Sequence, residues 1–196
     1  MFPYFITLIA YIILEPIAFF LTKNIELSII VKILGITSLL IIYRKHFKFR
    51  VKFDFLSILT GIAIVAIWIF LDPLYFRAKN VITDLSLLWI FLKLLSGVAI
   101  APVVEEFFTR YFLARWIIDK DYASVELGKF TLMSFIVTVF FFGLSHDRWL
   151  AGLITGILLN LLIYYKRDIG CCVIAHAVAN LILGVYVVYF WQWQFW

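Results

Sequence analysis

Apolar residues run along this chain in long unbroken blocks, separated by short clusters of polar and basic residues. A helix that spans a bilayer needs about 20 mostly apolar residues. The blocks predict helices over about 4–21, 27–43, 55–71, 86–114, 130–147, 150–165 and 171–191. Several are short for a span, which implies tilt or local thinning of the bilayer. Alternation at period two, the mark of a membrane β-barrel, is missing from these blocks. The predicted fold class is therefore all-α, a polytopic transmembrane helix bundle of about seven spans, eight at most. The apolar character covers the whole length, so residues 1–196 read as a single membrane domain. The first block, Tyr4–Leu21, lacks a positive leader region and a small-residue cleavage site, and reads as a retained span.

The polar clusters between blocks set an orientation. The second, fourth and sixth loops carry ten Lys and Arg, and the first, third and fifth carry four. The second set comprises Lys23, Arg77, Lys79 and Arg148. Positive residues accumulate on the cytoplasmic side, so the count predicts a cytoplasmic N-terminus and an external C-terminus. The stretch Phe47–Phe53 alternates apolar and basic residues and suits an anionic leaflet; a surface hairpin is the alternative. The tail from Trp191 to Trp196 is aromatic and uncharged, as an interfacial belt requires.

Composition agrees with this picture. Hydrophobic residues make up 65% and charged residues 15%, against roughly 45–50% and about 25% in soluble domains. The net charge of +5 reflects the basic loops rather than a nucleic-acid surface. Cys171 and Cys172 are neighbours, which rarely bridge each other, and no Cys-x-x-Cys zinc pair is present.

Against this background, a few polar residues inside the blocks stand out. They are Glu105, Glu106 and Arg110 in the fourth block, His146 in the fifth, and His176 and Asn180 in the seventh. Ionisable groups at bilayer depth are costly unless they are paired or face a wet cavity. Adjacent Glu105 and Glu106 point about 100° apart on a helix, so they cannot share a role. Glu106 and Arg110 are four apart, lie on one face, and are expected to pair. Glu105 then faces elsewhere, toward the other polar groups. Pro102 removes a backbone hydrogen bond beside the acid pair and predicts a kink there. Glu15, Lys32 and Lys93 lie outside these groups, and Glu15 is expected to pair with Lys32 or Lys93.

Such a set suits peptide hydrolysis in two ways. A carboxylate with a histidine can activate water, while a second histidine with an amide stabilises an oxyanion. In the other, Glu105, His146 and His176 would hold zinc with an open fourth position, although His-Glu-x-x-His is absent. Two readings from other classes also stand. One is a proton-coupled membrane transporter using Glu105, His146 and His176 as a relay; the other is a non-catalytic immunity or scaffold protein.

At these residues the chain resembles the CPBP family of intramembrane proteases, the CAAX-protease and bacteriocin-processing group. The resemblance rests on three motifs in order. They are Glu105-Glu106-Phe107-Phe108-Thr109-Arg110, Phe142-Gly143-Leu144-Ser145-His146 and His176-Ala177-Val178-Ala179-Asn180. It covers roughly residues 86–190, which would form the catalytic core. The resemblance implies a glutamate-dependent endopeptidase acting on a membrane-associated protein or peptide, with no required cofactor and zinc as the alternative. It assigns water activation to Glu105 and His146, the oxyanion site to His176 and Asn180, and support to Glu106 and Arg110. Tyr111 stands where the family often has glycine. A prokaryotic cytoplasmic membrane is the expected setting. One geometric condition follows. Plain hairpin threading puts His146 near the outer end and His176 nearer the inner end, so the fifth and sixth helices must tilt, or the fifth must run past Arg148, for the groups to meet.

Overall fold

The computed structural model describes residues 1–51, 53–75 and 85–196, and among them it contains helices and no strand. Seven apolar helices account for the fold. They are α1 (Phe2–Thr22), α2 (Ile25–Ile42), α3 (Phe55–Leu71), α4 (Leu87–Ile118), α5 (Leu132–Leu144), α6 (Trp149–Lys166) and α7 (Ile169–Phe190). Their bounds fall close to those predicted from the apolar blocks. Six are long and apolar enough to span a bilayer, and α5, with 13 residues, is not. Lys52, Arg77 and Lys79, which entered the loop charges, lie outside the described residues.

Local chemistry explains where the helices begin. Asn24, Asp54, Ser86, Thr131 and Asp168 cap α2, α3, α4, α5 and α7, each accepting a bond from a first-turn N–H. Such a cap satisfies a donor that the helix itself leaves unpaired. α1, α6 and α7 stop at Lys23, Arg167 and Trp191 in the left-handed conformation. The resulting hairpins are tight, and α1 packs on α2, α5 on α6 and α3 on α7.

Close backbone approach holds the bundle together, since lipid removes much of the hydrophobic drive between helices. A Cβ placed on Gly152 would lie 3.0 Å from the Gly143 Cα, and one on Gly156 would lie 3.1 Å from the Val139 Cα. α5 and α6 therefore meet along their glycines. At the α3–α7 contact, a Cβ on Gly61 would stand 2.6 Å from the Ala175 carbonyl. Large apolar side chains such as Phe20, Leu34, Phe70 and Leu132 remain exposed on the outer face, where lipid meets them.

The two ends of the bundle differ. At one end Arg148 donates to Asp72 at 2.7 Å and to the Gln194 carbonyl at 3.0 Å, and Trp89 packs edge-on against Trp196. Ser86 bonds Glu26 there as well. At the other end Lys166 pairs with Asp54 at 2.8 Å, and Tyr4 packs among Phe47, Phe107, Phe112 and Tyr122. The alternating stretch after α2 is not a strand. Phe47 and Phe49 turn inward onto Phe107, while Lys48 and Arg50 point outward. Tyr111 joins the same aromatic cluster and lies 4.8 Å beneath the Arg115 guanidinium.

α4 is not a uniform helix. It carries two π-helical stretches, Ser96–Ile100 and Phe107–Leu113, on either side of Ala101–Glu106. π turns recur at functional sites. Here they flank Pro102, whose missing N–H disturbs the regular ladder. The disturbance predicted at Pro102 thus takes the form of widened turns.

Candidate active site

The two adjacent glutamates of α4 face different surroundings. Glu105 lines an internal cavity of about 350 Å³, together with His146, His176 and Asn180. Glu106 points into the packed interior and is fully buried. The angle between neighbouring positions on a helix produces this division.

Glu106 sits in a chain of buried polar contacts. The Arg110 guanidinium pairs with its carboxylate at 3.2 Å, as the four-residue spacing predicts. Arg110 also donates to Asn160 Oδ1 at 3.3 Å and to the Gly156 carbonyl at 3.4 Å, and lies 4.4 Å above the Phe142 ring. Asn160 in turn donates to Thr138 at 2.8 Å. On its other side Glu106 accepts from His176 Nδ1 at 2.8 Å. The chain thus runs Thr138, Asn160, Arg110, Glu106, His176 and joins α5, α6, α4 and α7. A buried ion pair is favourable only when its remaining donors and acceptors are satisfied; these neighbours satisfy Glu106 Oε1 and the guanidinium, while among the described residues Glu106 Oε2 keeps only its ion-pair contact with Arg110. Glu106 therefore contacts His176 directly, a link that spacing along one helix cannot reveal. Asn160 and Thr138 were missed in the sequence; an amide in the middle of an apolar block was the available signal.

His146 lies just past the end of α5. Its Nδ1 donates to the Phe142 carbonyl at 2.7 Å, since a carbonyl can only accept. That bond leaves Nε2 facing Glu105 Oε2 at 3.9 Å. The gap is too long for a direct hydrogen bond and suits a shared water. Phe142 touches both histidines, with ring centroids 4.7 Å from His146 and 5.7 Å from His176. The aromatic residue four positions before His146 therefore acts as a spacer between the two imidazoles and as a platform for Arg110. Trp68 closes the far side of His146 and donates to Thr155 at 2.9 Å.

Asn180 donates one amide N–H to the Gly97 carbonyl at 2.7 Å. Gly97 belongs to the first π stretch, so the irregular backbone of α4 presents a carbonyl to α7. A Cβ added at Gly97 would meet nothing within 4 Å, because the cavity lies there. Tyr11, Lys93, Phe195 and Trp196 also line the cavity.

The depth condition is met in a way the hairpin drawing did not foresee. α5 has 13 residues and rises only about 20 Å, so it is shorter than a full span, and its end places His146 in the turn that leads to Arg148. α5 does not run past Arg148. The four cavity residues come together from α4, the α5–α6 turn and α7.

Residues 87–182 match a family model described as type II CAAX prenyl endopeptidase, Rce1-like. Over this stretch the chain is similar to the Rce1-like CAAX protease family. The matched stretch runs from the start of α4 into α7 and contains every residue of the three motifs. Together with six helices apolar enough to cross a bilayer, the match supports an integral membrane protein of peptidase type. No curated protein and no solved structure matches the chain. Among the described residues, no group of three or more His, Cys, Asp or Glu is placed to hold a metal ion. Glu105, His146 and His176 share a cavity without forming a ligand set. Nδ1 of each histidine is engaged, by the Phe142 carbonyl and by Glu106, an arrangement that metal-ligating histidines share.

Proposed function

We propose that this protein is a glutamate-type intramembrane endopeptidase that cleaves a membrane-associated protein or peptide near its terminus. The observation that carries the reading is the Glu105–His146 pair, 3.9 Å apart, facing the same cavity as His176 and Asn180. Glu105 and His146 hold the water between them, and Glu105 takes its proton as the oxygen attacks the scissile carbonyl. The new C–O bond converts the carbonyl to an oxyanion. Asn180 has a second amide N–H to donate to it. His176 Nε2 donates as well when the ring is an imidazolium, and Glu106 supplies the countercharge. Collapse of the oxyanion breaks the C–N bond, and the proton on Glu105 passes to the leaving nitrogen. Glu106 and Arg110 position His176 and do not touch the peptide.

The family description adds a substrate class, a protein with a lipidated cysteine near its C-terminus. The deciding experiment uses the purified full chain in liposomes with such a peptide. Wild type should release the C-terminal fragment, and Glu105→Ala, His146→Ala and His176→Ala should not. Cleavage by all three variants at the wild-type rate overturns the reading. Persistence of activity after exhaustive chelation is expected; its loss, with rescue by zinc, would replace the glutamate mechanism by a metal one.

A further inference from the structure

Lys93 is a cation in the wall of the same cavity, on α4 before Glu105. Charge inside a bundle is normally neutralised, and the nearby Glu15 is already paired with Lys32 at 3.0 Å. Lys32 also lies 4.0 Å over the Tyr11 ring. Lys93 lies 5.6 Å from the Trp89 ring, and among the described residues no hydrogen bond or ion pair to it is formed, Glu15 and Lys32 acting on it only through space. The cavity is therefore polarised along α4, with a carboxylate at the Glu105 end and an ammonium at the other.

Position along the helix gives this polarity a length. Lys93 precedes Gly97 by four residues, one turn on the same face, or about 6 Å of rise. Gly97 marks the level of Asn180 through their hydrogen bond. Side chains lean toward a helix N-terminus, and a lysine stem adds several ångströms more. The ammonium thus reaches about 6–12 Å beyond the oxyanion level, the span of roughly two to four extended residues. At Gly97 the wall is bare backbone, with open space where a Cβ would stand.

We infer that Lys93 binds the free α-carboxylate of the substrate, fixing the scissile bond two to four residues from the C-terminus. The inference rests on the endopeptidase reading and specifies its substrate as a chain with an open C-terminal end. Lys93 is then a specificity residue that acts as a ruler, and it takes no part in bond cleavage.

The test uses two internally quenched peptides of one sequence, each with a lipidated cysteine followed by three residues. One ends in a free carboxylate and the other in an amide. Wild type should cleave the acid at least about tenfold more efficiently than the amide in kcat/KM, the scale of one charged hydrogen bond. Lys93→Gln should bring the acid down to the amide level and leave the amide rate unchanged, while Lys93→Arg should keep most of the preference. The acid-to-amide ratio is taken within each variant, so a partly folded preparation does not distort it. An unchanged ratio in Lys93→Gln, or equal losses on both peptides, overturns the role of Lys93 while leaving the endopeptidase reading intact. Failure of wild type to cleave either peptide, with Glu105→Gln indistinguishable from it, overturns both.

Discussion

His176 donates through Nδ1 to Glu106 at 2.8 Å, across the α4–α7 interface and 70 residues away in the chain. The second glutamate of the pair therefore belongs to the histidine of the third motif, and Arg110 holds it from behind. Glu106→Ala leaves the Arg110 guanidinium buried without its countercharge and should cost about 3–5 kcal/mol. Glu106→Gln retains the shape, and should lower kcat by about 10²-fold with a much smaller loss of stability. Thermal unfolding in detergent, read beside peptide turnover, separates the two effects. Replacing both partners, as in Glu106→Leu with Arg110→Met, should restore stability relative to Glu106→Ala without restoring turnover.

Glu105 has a different profile. It approaches His146 at 3.9 Å, and its side chain is partly open to the cavity. Glu105→Gln should therefore leave the unfolding temperature close to wild type and reduce turnover about 10²–10⁴-fold. A comparable loss of stability would place Glu105 in the structural network instead.

Gly97 tests the path through the cavity. Gly97→Ala adds a methyl group to open space and removes glycine's entropic penalty in a helix, so it should be neutral or stabilising by up to about 1 kcal/mol. Gly97→Leu should fill the passage between Asn180 and Lys93. The expected signature is a raised KM or lost cleavage in a protein that unfolds at the wild-type temperature.

Orientation is open to chemical labelling. Lys48 is exposed at the basic end and Lys23 at the end that carries the aromatic tail. Cys171 and Cys172 are buried, which leaves engineered thiols readable. In intact cells, an impermeant maleimide should label Lys23→Cys from outside and spare Lys48→Cys until the membrane is opened. The reverse pattern would invert the topology deduced from the loop charges.

The Asp54–Lys166 pair gives a pH dependence outside the spans. Lys166 and the hydroxyl of Ser57 hold the Asp54 carboxyl well below the usual carboxylate range. A carboxyl depressed in the folded state contributes stability that is complete above its unfolded value near 3.9 and fades as the pH falls below it. Asp54→Asn should therefore destabilise the protein at neutral pH, and the difference from wild type should shrink as the solution is acidified below about pH 4. Thermal unfolding of both proteins across that range is the measurement.

Much of this architecture was legible because a membrane demands continuous apolar helices, and the seven blocks could hardly fold otherwise. The Glu106–Arg110 pair followed from helical geometry alone, and so did the separation of Glu105 from Glu106. The scarcity of countercharges at depth left Lys32 and Lys93 as partners for Glu15, and the structure selects Lys32. Contacts between helices were less accessible. The bond from His176 to Glu106, the Asn160–Thr138 extension and the carbonyl of Gly97 depend on rotation and register of neighbouring helices, which spacing along one helix does not encode. The π turns of α4 were hidden for a related reason: Pro102 announces a disturbance of the ladder, but the packing around it decides the form.

α5 carries a further consequence for the surrounding lipid. Its 13 residues fall roughly 10 Å short of a typical hydrocarbon core, yet Leu132, Met133, Phe140 and Leu144 face outward along it. Acyl chains beside this helix must compress or splay to cover those residues and leave the turn at His146 hydrated. The bilayer is then a mechanical partner of the protein, and its thickness sets how readily water and a polar peptide backbone reach the interior. Membranes built from shorter chains would relieve that distortion.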